Sequence, residues 1–94
     1  MTEKPAKIDI YQEAESIEQY FYIKNGIPIK NLAELLDQLA NMDIEVFNYH
    51  VSRKNNDFAN WIRDVFGEKE LARRMKMSRS PYGMLKSITK FLEN

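Results

Sequence analysis

Two stretches of this chain repeat one spacing. Leu32, Leu35, Leu36 and Leu39 recur at i, i+3, i+4 and i+7, and so do Phe58, Trp61, Ile62 and Val65. On a 3.6-residue helix each set makes an apolar stripe that must bury itself against another apolar face. Both stripes lie within 94 residues, and the chain has no cysteine, so no disulfide framework can stand in for a core. The chain must fold by packing helix on helix. A domain of this length buries about 60–65% of the surface its unfolded form exposes. That allows one core, without a deep substrate cavity beside it.

Capping residues divide the rest into further helices. Asn31 can cap the first, with Glu34 at the reciprocal capping-box position. Asp43 can cap a short second helix that turns Ile44, Phe47 and Val51 inward. Residues 52–56 read as a polar loop, after which Asn56 or Asp57 caps the third helix. Gly67 can supply the left-handed residue that ends it. A brief fourth helix over 68–77 carries Leu71 and Met75. Ser80 as cap, with Pro81 at the first helical position, begins the last, with Leu85, Ile88 and Leu92 buried.

Before the first helix the pattern differs. Tyr20-Phe21-Tyr22-Ile23 and Ile27-Pro28-Ile29 flank Lys24-Asn25-Gly26, and Asn-Gly between β-favouring runs predicts a hairpin. Pro28 cannot donate to a ladder, so its arm should be a short edge. Residues 1–15 are polar and read as an N-terminal arm, either disordered or holding one short strand around Ile8 and Ile10. Residues 16–94 then form a single helical domain. The expected class is mainly α, α+β at most: a short N-terminal β-hairpin packed on four to five short helices.

Charge is balanced overall and divided along the chain. Residues 1–50 carry 4 Lys and Arg against 9 Asp and Glu, a net of −5; residues 51–94 carry 10 against 5, a net of +5. Between positions 69 and 90, Lys69, Arg73, Arg74, Lys76, Arg79, Lys86 and Lys90 face one acid, Glu70. A bipolar molecule follows. No apolar run approaches the ~20 residues of a membrane-spanning helix. Residues 1–7 lack the apolar stretch of a signal peptide. With no cysteine, the expectation is a cytoplasmic protein without membrane contact.

Catalytic signals are few. His50 is the one histidine, and a zinc site needs three or four converging ligands. No phosphate-binding glycine loop or nucleophile elbow occurs. Asp57 and Asp64 stand about two helical turns apart, a spacing that on an exposed face usually means solvation. No catalytic residue, cofactor, metal or small-molecule substrate is expected. The block Asn56-Asp57-Phe58-Ala59-Asn60-Trp61 has a mechanical reading, in which the Asx residues cap a helix and the aromatics fill the core. Its other reading gathers His50, Asn56, Asp57 and Asn60 into a polar cluster that positions a ligand or partner.

The basic segment also has two readings. Lys69, Arg73 and Lys76 share one helical face and Lys86 and Lys90 another, which suits an acidic protein partner or a nucleic acid. The run from Leu71 to Ser80 is similar to the first helix and turn of a degenerate helix-turn-helix over 68–90. Lys76 takes the place of the usual turn glycine, and Pro81 lies in the first turn of the would-be recognition helix.

A wider pattern resembles a known family. Asn31-Leu32-Ala33-Glu34-Leu35-Leu36, Val46-Phe47-Asn48-Tyr49-His50-Val51, the run from Asn56 to Gly67 and Glu70-Leu71-Ala72 resemble a domain-of-unknown-function family of small archaeal and bacterial proteins. The resemblance covers about residues 20–93 and is most specific over 49–72. It implies a recurrent independent fold and supplies no activity. The resulting expectation is a non-enzymatic helical module that acts through protein contacts or self-association, with nucleic-acid binding by the basic surface as the alternative.

Overall fold

Side chains cap three of the helix starts. In the computed structural model, which describes residues 8–93, Asn31 Oδ1 accepts the Glu34 N–H at 2.8 Å and starts α1 (Leu32–Ala40). The Glu34 carboxylate reaches back to the Lys30 N–H at 2.8 Å, one residue beyond the partner that a capping box would use. Asn56 Oδ1 accepts the Ala59 N–H at 3.0 Å, so Asn56 rather than Asp57 caps α3 (Asp57–Phe66). Ser80 Oγ accepts the Gly83 N–H at 3.0 Å at the head of α5 (Pro81–Glu93). Asp43 precedes α2 (Ile44–His50), but its side chain makes no capping bond. Gly67, at φ +70°, ends α3 with its N–H on the Arg63 carbonyl, and α4 (Lys69–Met75) follows directly. Glycine takes that left-handed conformation at no steric cost.

The helices share one core. α3 packs on α4, and α5 packs on both α4 and α1. Leu35 and Leu39, Phe47, Phe58 and Ile62, Leu71 and Met75, and Met84 and Ile88 are its most enclosed members from the five helices. Trp61 is buried as its stripe predicts. Leu36, Val65, Leu85 and Leu92 lie at the margin, half-buried. In α5 this corrects the phase: Met84 and Leu85 head two overlapping stripes that share Ile88, and the structure buries the one with Met84. Ile44 is also corrected, at 50% exposed. A two-turn helix has room for one short inward row, and here Phe47 and His50 occupy it.

The expected hairpin does not form. Phe21 and Ile29 make a single antiparallel bridge, N–H to carbonyl at 2.9 and 2.8 Å, and no ladder extends it. A two-residue Asn-Gly hairpin turn needs both central residues left-handed. Here Asn25 is (φ 60°) and Gly26 is not. The turn closes instead from the Gly26 N–H to the Ile23 carbonyl at 3.4 Å, which engages the group a second rung with Ile27 would use. Gly26 serves closeness instead: a Cβ there would stand 2.8 Å from Ile23 Cγ2.

Of the arm expected over 1–15, residues 1–7 lie outside the described residues. Residues 8–15 hold no strand. They follow the head of α1, with the Ala33 N–H on the Ile10 carbonyl, the Ala14 N–H on the Lys30 carbonyl, and Asn31 Nδ2 on the Tyr11 carbonyl at 3.3 Å. A 3₁₀ turn (Ile17–Gln19) leads into Phe21, whose ring stacks on Phe58 at 4.7 Å and meets His50 and Trp61 edge-on. The bridge thus delivers one aromatic side chain into the centre of a helical core.

Candidate interaction surfaces

His50 ends α2 beneath this aromatic layer and is 6% exposed. Its Nε2 lies 3.0 Å from the backbone N–H of Lys24, which can only donate. Nε2 is therefore the acceptor, and the proton of the neutral ring sits on Nδ1. That proton points at Asp57 Oδ2, 3.1 Å away. Both ring nitrogens are engaged, one by a buried main-chain group, so neither is available to a substrate or metal in this arrangement. The histidine ties the 23–26 turn to the start of α3.

The polar residues singled out in the sequence divide into two sets. His50, Asp57 and Asn60 belong to one chain of hydrogen bonds, with Asn55 as the link that sequence reasoning missed. Asn55 Nδ2 donates to Asp57 Oδ1 at 2.6 Å, and Asn60 Nδ2 donates to Asn55 Oδ1 at 2.9 Å. Asn56 faces the other way and is buried, capping α3 and donating through Nδ2 to the Met75 carbonyl at 3.2 Å. Signal for Asn55 existed in the Asn-Asn-Asp run, since short amides beside a helix start habitually bond locally. Its choice of partner depended on the loop's path. That path is set by the Val51–Asn56 bridge and the Ser52 N–H on the Asn55 carbonyl at 2.7 Å.

The seven cations do not form one uniform patch. Arg73 and Arg74 both converge on Glu70, Arg73 through a close side-chain pair and Arg74 at 3.6 Å. The hydrogen bond from Arg73, helped by the charge of Arg74, holds the Glu70 carboxyl below its ordinary range. Arg74 also lies over the Phe91 ring at 5.4 Å. Arg79 Nη1 donates to the carbonyls of Lys76 and Ser78, each at 3.3 Å, within the 76–80 turn. Among the described residues, Lys69, Lys76, Lys86 and Lys90 have no carboxylate within 4 Å. Tyr82, Lys86 and Lys90 line the exposed side of α5, with Lys86 Nζ 5.9 Å from the Tyr82 ring. In the 68–90 segment, Ala72 is buried and Ser80 caps the following helix.

The opposite half of the chain exposes apolar groups. Tyr22 and Ile27 on the turn, and Ile44 and Tyr49 on α2, are half or more exposed, Ile27 at 79%. Two recesses flank the turn. One, of 420 Å³, lies between Lys24 and Asn25 and the Asp43, Glu45 and Tyr49 side chains. The other, of 240 Å³, runs along Ile27, Pro28 and Glu34 to Asp37. Lys24 Nζ lies 4.1 Å from the Tyr49 ring centroid, inside the first. Carboxylates line both recesses, Asp43 and Glu45 the first and Glu34 and Asp37 the second, with one lysine in each, Lys24 and Lys30.

Among the described residues no helix is long and apolar enough to cross a membrane. A family model described as "Family of unknown function (DUF5752)" matches residues 18–88, a span that holds all five helix starts, the His50–Asn60 chain and six of the seven cations. No curated protein and no solved structure matches the chain.

Proposed function

We propose that this chain, which belongs to the DUF5752 family of unknown function, is a non-enzymatic module that binds a basic, apolar-anchored segment of another protein through the surface around the 22–28 turn and α2. The observation that carries the reading is the exposure of Ile27 and Tyr49, each lining a recess that also holds two carboxylates, with Tyr22 and Ile44 exposed on the same two segments. Aromatic anchors are enriched in the energetic centres of interfaces, and a charged rim sets rate and orientation. The engagement of both His50 nitrogens supports a structural role for the residue that catalysis would most readily recruit.

A photo-crosslinking side chain at position 27 or 49 tests this in nuclease-treated extract of the native cell. The expected adduct is a protein whose crosslinked peptide is rich in Lys and Arg. It should fade as salt rises and be lost when Asp43 and Glu45 are reversed to Lys. Adducts no stronger than those from position 77, or indifferent to the reversal, would overturn the proposal. Adducts to a second copy of this chain would point to self-association instead and be checked by light scattering.

A second reading has its own observation, the line of Tyr82, Lys86 and Lys90 on α5. Lysines beside an exposed aromatic ring suit a nucleic-acid backbone with a stacked base.

A further inference from the structure

The loop between α2 and α3 forms a small polar recess with the end of α4. Its volume is 130 Å³, and Ser52, Arg53, Lys54, Asn55, Asn56, Asn60 and Lys76 line it. Three of the seven are cations, supplied by two separate segments of chain. Arg53, Lys54 and Lys76 are exposed, and among the described residues none has a carboxylate within 4 Å. Lys76 acts on the Asp64 carboxylate, which is itself paired with Arg63, and the three like charges around one concavity otherwise repel one another.

We propose that this recess binds a phosphomonoester dianion, the phosphate group of a small molecule. Its size supports a single group, since pockets that enclose whole drug-sized ligands run to about 300–1,000 Å³. Its chemistry supports a doubly charged, multiply accepting oxyanion. Arg53 offers a planar fork, Lys54 and Lys76 offer point charges, and the amides of Asn55 and Asn60 each keep one N–H beyond the bond already made.

The floor is held in place before any ligand arrives. Asn60 is fixed by Asn55, Asn55 by Asp57, and Asp57 by the buried His50. Ser52 Oγ accepts the Asn55 N–H at 3.2 Å, which sets the loop's curvature. Asn56, beneath, is committed to Ala59 and Met75 and takes no part. Two carboxylates lie near enough to oppose an anion, and each has a partner. Asp57 is held by His50 and Asn55, and Asp64 by Arg63 at 2.7 Å. Pre-ordered donors lose little entropy on binding, which favours a small ligand with few atoms to contribute.

The test is a titration of the full chain with inorganic phosphate at constant ionic strength, followed by backbone amide NMR shifts. Saturable shifts confined to residues 52–56, 60 and 76 are expected. Affinity should fall about five- to tenfold in Lys76→Gln and again in the Arg53→Gln, Lys76→Gln double variant, as for a lost charge-assisted hydrogen bond at a partly exposed site. Lys90→Gln, a cation removed elsewhere, should leave it unchanged. These side chains are exposed, so the variants should fold; their spectra verify this directly. Shifts that do not saturate, that spread over every cation, or that respond equally to Lys90→Gln would overturn the proposal. Tighter binding of a phosphodiester probe, single-stranded RNA, through the same residues would overturn it in favour of a nucleic-acid backbone.

Discussion

His50 and Asn56 lie six positions apart and do different work, which variants can separate. Asn56→Ala removes a cap and also one of the two hydrogen bonds on the Met75 carbonyl, which keeps the Ser78 N–H at 3.1 Å. Loss of a cap costs about 0.5–2 kcal/mol, and the lost amide–carbonyl bond adds about 0.5–1.5 kcal/mol. Chemical denaturation should therefore show a loss of about 1–3.5 kcal/mol. Asn56→Asp keeps the capping oxygen but turns a second one towards a carbonyl, and should recover little. For His50 the informative measurement is a double-mutant cycle. Asp57→Ala should cost about 1 kcal/mol in the native background and markedly less once His50→Phe has removed both ring nitrogens. Equal costs in the two backgrounds would mean that the 3.1 Å contact contributes nothing. The cap was legible because Asx before an apolar stripe has a local cause. The Lys24 partner was not, because it joins residues 26 positions apart.

At the scale of elements, legibility followed the same rule. α1 and α3 could be placed from sequence because stripe and cap coincide within a dozen residues, and in α3 Gly67 marks the end as well. Two features resisted. In α5 both stripes satisfy the helical period, so only the neighbours α1 and α4 decide which one is buried. In the 20–29 segment a strong local turn signal was overridden by the path that takes Phe21 into the aromatic centre. That segment is secured from outside: Trp61 Nε1 donates to the Gln19 carbonyl at 2.7 Å, anchoring the 3₁₀ turn to α3. Trp61→Ala should cost about 3–5 kcal/mol through lost packing. Trp61→Phe is the sharper probe, since it keeps an aromatic ring while removing the donor. Hydrogen exchange should then accelerate at the amides of Gln19 and Tyr20, with the helical amides of α1 and α4 little changed. Uniform acceleration across all helices would assign the tryptophan to global packing alone.

For the whole molecule the question is what the +5 half does. Its seven cations between positions 69 and 90 suggest a nucleic-acid face, but the arrangement in space reduces their reach. Arg73 and Arg74 are drawn to Glu70, and Arg79 is turned onto the carbonyls of its own turn. These three are the arginines whose forks would read guanine, and lysines make up the rest. If Lys69, Lys76, Lys86 and Lys90 each neutralised one phosphate, log K for duplex DNA would fall against log salt with a slope of about −4. Binding that rests on so few contacts is weak at physiological ionic strength, and it carries almost no sequence preference. Under the protein-partner reading, labelled duplex DNA and single-stranded RNA should bind negligibly near 0.15 M salt, where charges are screened beyond about 8 Å. Association through the acidic rim at Asp43 and Glu45 should survive there and weaken only gradually as salt rises. Titrations at two salt concentrations distinguish the outcomes. Micromolar, steeply salt-dependent binding that disappears when Arg73, Arg74 and Lys76 are reversed to Glu would show that the arginines leave Glu70 for phosphate. The basic half would then be the functional face, and the exposed apolar residues around the turn would need another explanation.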